Sequence, residues 1–243
     1  MSNFSQKRGK YQGLVEIHDI ISFMLIEQNG WKLDLNLKGG RIVSLKKGDD
    51  SILDTFDRGN GKIGQTHLCV PNFANEFPQY ELAPHGPSRD SLWELKSYDS
   101  GKSAEIVYKM INQGKYPTDL EISQYFELGV DFVHKIGIKN IGNKEALVNL
   151  AVHYYFNLDP KKLMLNGASV SDLVRGDKEA GVKEKSLISD GKNKNIRIDL
   201  SNFGDRLHFW SGSNDSACVE PVMGERRINL GQIISKEIRL QTN

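Results

Sequence analysis

The chain has 243 residues, 26% of them Asp, Glu, Lys or Arg, and a formal net charge of +1, a balance that gives no general reason to expect a nucleic acid or an anionic membrane as partner. Its length suits one large β domain with an ample core. No apolar run approaches the ~20 residues that span a bilayer, and the basic N-terminal stretch has no apolar run behind it, so neither a membrane span nor a secretory signal is expected and a cytoplasmic protein follows. Cys69 and Cys218, far apart in sequence, read as two buried free thiols in a reducing compartment, with a disulfide as the alternative.

Residues 1–12 read as a polar tail, and residues 13–243 as a single domain. Leu14 to Asp19 and Ile20 to Glu27 read as strands, and Asn29-Gly30 is a two-residue hairpin signal. Trp31 to Leu37 then alternates apolar and polar residues at every step, the period of a half-buried strand. Gly39-Gly40 turns the chain and Arg41 to Leu45 repeats the pattern; Lys47 to Asp50 turns it again before Ile52-Leu53. From Arg58 to Arg89 the period is lost among glycines, prolines and two histidines; an irregular segment of this length that carries Phe73, Phe77, Tyr80 and Leu82 points to function. Strand patterning resumes at Leu92 to Tyr98, Ala104 to Ile111, Leu120 to Leu128, Phe132 to Lys139 and Leu147 to Tyr155, with turns at Asp99-Ser100-Gly101, Gly129 and Asn140 to Asn143. Residues 166–194 are polar and Lys-rich with weak strand content; Ile196 to Leu200, Leu207 to Trp210, Ala217 to Glu220 and Ile233 to Leu240 close the chain. No amphipathic helix of ordinary length and no fixed repeat is found, so the expected class is all-β, a sandwich or barrel of many short strands.

Walker loops, a GxGxxG after a strand, HExxH and paired CxxC are all absent, which leaves phosphate-cradle, dinucleotide and zinc readings without local support; no metal and no cofactor are expected. Asp49-Asp50 and the lysines near 183–194 read as solvated turns. Three places carry candidate chemistry: His85-Gly86-Pro87-Ser88-Arg89 with Trp93 shortly after; His153, where a buried strand ends in Tyr154-Tyr155-Phe156-Asn157 before Asp159-Pro160 stops it; and Glu220, a carboxylate at the end of an apolar strand. His18, His67, His134 and His208 read as hydrogen-bonded structural residues, and the pattern leaves open whether His208 faces the site.

Together these places resemble one family. Leu37 to Leu45 is similar to the early GGRI-type strand of the aldose 1-epimerases, the mutarotases of the galactose mutarotase-like superfamily, and Phe73-Ala74-Asn75 to their aromatic-small-Asn stretch. His85-Gly86 with Arg89 and Trp93 resembles their His-Gly, Arg and Trp pattern, His153-Tyr154-Tyr155-Phe156-Asn157-Leu158 their His-Pro-Tyr-Phe-Asn-Leu signature, and Val219-Glu220-Pro221 their strand-borne Glu-Pro. The order holds from about residue 37 to 240, and the His153 motif is the most specific of these. The resemblance implies a large antiparallel β-sandwich with a sugar site on its concave face, and interconversion of the α and β anomers of a free aldohexose. It implies Glu220 as catalytic base, His153 as catalytic acid, and His85, Asn75, Arg89 and Tyr155 as substrate-binding residues, with Trp210 as another candidate for stacking on the ring. It also implies a monosaccharide as the partner of a monomer or homodimer. Two positions differ: Glu76 stands where the family has arginine, leaving Arg89 or Arg41 to supply a cation, and no Asp-Phe-Arg context follows His153, leaving Asp172, Asp177 and Asp199 as candidates by position. A hexose-6-phosphate 1-epimerase and a non-catalytic carbohydrate-binding protein are the alternatives.

Overall fold

The computed structural model describes residues 14–17, 20–58, 61–112, 114–170, 176–181, 185–190, 194–204, 206–211 and 217–242; the polar tail 1–12 lies outside them. Alternation along the strands is what builds the sheets. Trp31–Asn36 and Leu120–Leu128 bury every second residue, so each presents one apolar face and one half-exposed face. Such strands gain most by laying their apolar faces together, and the chain forms two large antiparallel sheets that do so.

The first sheet runs from the edge strand Leu14–Ile17 through Ile20–Gln28, Trp31–Asn36, Arg41–Lys47 and Asp50–Leu53. It continues with Ala151–Phe156, Ala217–Val222, Arg206–Ser211 and Gly176–Gly181, and the short strand His67–Cys69 also pairs with Ala151–Phe156. The second sheet contains Lys185–Ser189, Asn195–Asp199, Ile233–Thr242, Phe132–Asn140, Leu120–Leu128, Ser103–Met110 and Glu94–Asp99 in that order. Leu33, Leu45, Tyr154, Val219 and Phe209 from the first sheet join Ile122, Phe126, Phe132, Ile138 and Leu240 from the second in one core. The protein is therefore an all-β sandwich.

One buried polar chain bridges the two layers behind the strand that carries His153. The Tyr154 hydroxyl donates to His134 Nδ1 (2.8 Å), His134 Nε2 donates to Gln124 Oε1 (3.0 Å), and Gln124 Nε2 donates to the Gly40 carbonyl (2.9 Å). The direction follows from the Gln124 amide, whose NH2 is committed to a carbonyl and leaves its oxygen to accept. Burial pushes His134 down to about 3, so the imidazole is neutral and its two nitrogens serve as one donor and one acceptor.

The observed elements depart from the sequence pattern in three places. The apolar run expected as one strand from Leu147 to Tyr155 is two, Ala146–Val148 paired with Arg226–Ile228 and Ala151–Phe156 in the first sheet. Asn149 breaks it, because its backbone N–H donates to Pro71 O (2.6 Å) and its Nδ2 to Glu76 Oε2 (2.6 Å). The polar stretch 166–194 contains the strands Gly176–Gly181 and Lys185–Ser189, held by neighbours rather than by an apolar pattern of their own. The irregular segment 58–89 contains the strands Ile63–Gly64 and His67–Cys69 and two short 3-10 turns, Pro78–Tyr80 and Pro87–Arg89. Among the described residues no helix is long and apolar enough to cross a membrane.

Candidate active site

The site is one row of side chains across four antiparallel strands. His208 lies opposite Glu220, and the register Tyr154 to Val219 and Tyr155 to Cys218 sets Glu220 beside His153, which lies opposite His67. Because strand side chains alternate, the intervening Leu68, Val152, Tyr154, Val219, Leu207 and Phe209 all point the other way, into the core. The adjoining row on one side is Trp210, Cys218 and Tyr155; on the other it includes Cys69, Ala151 and Val222. A flat polar floor flanked by aromatic and apolar side chains results.

The irregular segment supplies the wall above this floor. His85 is clipped to Ala74 twice: its backbone N–H donates to Ala74 O (2.9 Å), and the Ala74 N–H donates to His85 Nδ1 (3.3 Å). The clip holds His85 at φ 65°, a left-handed conformation that costs a non-glycine residue on the order of 1–3 kcal/mol and survives only where surroundings enforce it. Gly86 follows at φ 74°, where a Cβ would collide with the Val70 carbonyl, so only glycine fits. With Nδ1 accepting from Ala74, and Cys69 Sγ also near it at 3.4 Å, the ring proton of His85 sits on Nε2. The His85 and His153 rings are 4.9 Å apart, and Phe73 presents its edge to His85, His153 and His208.

The cavity enclosed by floor and wall has a volume of about 270 Å³, at the small end for a ligand pocket, and Arg58, Arg89 and Trp210 join the residues around it. Glu220 and His153 are its buried titratable pair, with Glu220 Oε2 3.5 Å from His153 Nε2 and both side chains less than a tenth exposed. Burial, followed by the neighbouring His67, His85 and the two arginines, holds His153 well below the usual histidine range, so its imidazole is neutral near pH 7. Burial, then Arg89 and Arg58, lowers His85 to about 4. Burial likewise pushes the thiols of Cys69 and Cys218 and the Tyr155 hydroxyl up, so these groups stay protonated.

Of the residues singled out in the sequence, Glu220, His153, His85, Arg89 and Tyr155 border this cavity, as does Trp210. Asn75 does not. Ala74 takes φ 50° and the Glu76 N–H closes back onto Phe73 O, which turns Asn75 out to solvent and leaves Ala74 facing in. Neither Glu76 nor Arg41 is among the cavity residues. Glu76 accepts from Asn149 and the Phe73 N–H, whereas Arg41 donates to Arg89 O and Asp90. Asp199 binds Ser201, Asp177 lies on the edge strand opposite Trp210, and Asp172 lies outside the described residues.

Three cavity residues escaped the sequence reading. Arg58 drew no attention; its guanidinium lies 4.2 Å from the Trp210 ring centroid. His208, whose facing the sequence pattern leaves open, lies in the row. His67 reads as structural from the sequence, yet it faces the cavity: its Nδ1–H donates to Gln65 O (2.7 Å), which leaves Nε2 as a buried lone pair without a partner. The one signal for it was the alternation His67-Leu68-Cys69-Val70, too short to stand out in an irregular segment.

The sequence pattern of the aldose 1-epimerase family matches residues 23–175. None of the curated proteins matches in sequence. Among solved structures, a galactose mutarotase related enzyme from Lactobacillus acidophilus superposes with a TM-score of 0.76 at 14% identity over 91% of this chain and 97% of its own. A galactose mutarotase-like protein from Clostridium acetobutylicum gives 0.76 at 14% over 95% and 99%, and galactose 1-epimerase from Lactobacillus acidophilus gives 0.69 at 12% over 95% and 97%. At such identities these neighbours speak for the shared sandwich. The family pattern, which runs through the GGRI-like strand, the His85 wall and the His153 strand and takes in well over half of the sequence, carries the assignment: the chain belongs to the aldose 1-epimerase family.

Proposed function

We propose that the protein interconverts the anomers of an aldohexose by acid–base ring opening, with Glu220 as base and His153 as acid. The observation that carries this reading is the buried pair itself, a carboxylate and an imidazole 3.5 Å apart in the floor of a small cavity. Glu220 takes the proton of O1; the O1–H electrons form the C1=O1 double bond, and the C1–O5 bond breaks as O5 takes a proton from His153. Rotation about C1–C2 turns the aldehyde over. O5 then attacks the other face of C1, returning its proton to His153 while Glu220 returns one to O1. A positioned acid or base contributes about 10²–10⁴-fold to such a step. His85, with its proton on Nε2, hydrogen-bonds the sugar near the ring oxygen, and Tyr155 and Trp210 flank the apolar face of the ring. Asn75, exposed outside the cavity, has no role in this reading.

Two arginines at the cavity favour a second reading, in which the sugar is phosphorylated. Arg58 and Arg89 both border it, and Glu76, the acid that would oppose them, is turned away toward Asn149. Anomerisation of freshly dissolved α-glucose and of glucose 6-phosphate by the purified protein separates the two. If the phosphate ester is the substrate, Arg58→Ala raises its KM at least tenfold and leaves kcat nearly unchanged. If neither sugar equilibrates faster than in buffer while sugar binding is retained, both enzyme readings fail and a binding protein on this fold remains.

A further inference from the structure

His67 and Cys69 are two apart on one short strand, so they share its face, and His153 lies directly opposite His67 on the neighbouring strand. One donor atom of each lies within 4.8 Å of the others, and all three residues are buried. We propose that His67, Cys69 and His153 form a binding site for a soft divalent cation of the zinc class in the floor of the cavity. Imidazole nitrogen and thiolate sulfur are the donors such ions select.

The geometry supports this in three ways. First, His67 Nε2 is buried, makes no hydrogen bond and presents its lone pair, and His153 Nε2, 3.5 Å from Glu220 Oε2, makes no hydrogen bond of its own. Second, His67 is oriented as metal-binding imidazoles are. Its Nδ1–H is fixed on the Gln65 carbonyl, so the lone pair on Nε2 is the one presented, and the His67 and His153 rings stand 4.6 Å apart. Third, for three atoms no more than 4.8 Å apart, some point lies within about 2.8 Å of each; shifts of about 0.5 Å for sulfur and at most about 0.8 Å for nitrogen bring them to the ~2.0–2.3 Å of zinc–nitrogen and zinc–sulfur bonds. His67 and His153 border the cavity, which gives the ion its entry path.

His153, Cys218 and Glu220 form a second group of comparable spacing, but there the thiol already hydrogen-bonds the carboxylate. The first group alone has the unpartnered Nε2 of His67 and takes the ion. Binding releases one proton, the Cys69 thiol proton that now faces His85 Nδ1, and the thiolate and two neutral imidazoles become the ligands. The site does not rest on the epimerase reading, but the two compete for one imidazole: an ion held by His153 removes it from acid–base work.

The test is a titration of chelator-treated protein with Co2+, then Zn2+, read by absorbance. One equivalent of Co2+ is expected to bring a thiolate-to-cobalt charge-transfer band and the strong visible bands of four-coordinate cobalt, and Zn2+ to abolish both. Cys69→Ser loses the charge-transfer band, His67→Ala weakens Co2+ binding at least tenfold, and Cys218→Ser keeps the band, each in protein whose melting curve remains cooperative. A spectrum of octahedral cobalt only overturns the proposal, as does a charge-transfer band that Cys218→Ser removes and Cys69→Ser leaves. Because the readout is spectroscopic, failure of sugar epimerisation with the bands present leaves the site standing, and epimerisation without the bands removes only the site.

Discussion

Glu220→Gln is the most direct test of the acid–base pair. The side chain is 4% exposed, its carboxylate is 3.5 Å from His153 Nε2, and it accepts from the Cys218 thiol. Glutamine has the same shape and can still accept that hydrogen bond, so the substitution removes charge and basicity while leaving the cavity filled. If Glu220 is the base, kcat falls by the ~10²–10⁴-fold such a group contributes, or about 3–5 kcal/mol of barrier at 1.36 kcal/mol per decade. KM should change little, because the shape of the floor is kept. The assay is polarimetry of a freshly dissolved pure anomer at low buffer concentration, with enzyme-free mutarotation subtracted. Activity within threefold of the parent, with an unchanged melting curve, would refute the role given to Glu220.

Further expectations concern pH and stability. If His153 is the acid, it donates its proton from the charged form, and because burial lowers its pKa, kcat/KM should fall as pH rises through a value below 6.5; a decline centred at or above 6.5 contradicts that role. Tyr154→Phe leaves His134 Nδ1 buried without a donor, a cost of about 1–3 kcal/mol. For a domain of 150–250 residues this lowers Tm by about 2–4 °C per kcal/mol, and an unchanged Tm would mean that the chain between the sheets contributes nothing. Gly86→Ala puts a Cβ into the Val70 carbonyl at a positive φ and should destabilise by more than ~1 kcal/mol, read as a shift of the urea midpoint.

Local alternation was enough to find most of the two sheets, because a strand such as Leu120–Leu128 buries every second residue and its composition records the fact. It was not enough at the ends of the hydrogen-bonding ladders. Gly176–Gly181 carries no apolar period, and it is a strand because Arg206–Ser211 offers it a ladder. His153, Glu220 and His85 could be picked out because titratable groups at the ends of apolar strands, or in an irregular segment rich in aromatics, are costly unless they serve something. Asn75 could not be placed, since a single left-handed residue, Ala74, decides whether it faces the cavity or the solvent.

The sequence by itself determined the β class and most of the strands, which are written in period-two burial, and it singled out His153 and Glu220 as titratable groups at the ends of apolar strands. Only the tertiary structure decided which groups meet. The register of four antiparallel strands puts His208, Glu220, His153 and His67 in one row, although His67 and His153 lie 86 residues apart in the chain and His153 and Glu220 67 apart. Pairing of distant strands depends on the summed packing of both faces, which no local window contains, and it is this pairing that turned His67 from an ordinary histidine into one with its lone pair open to the cavity.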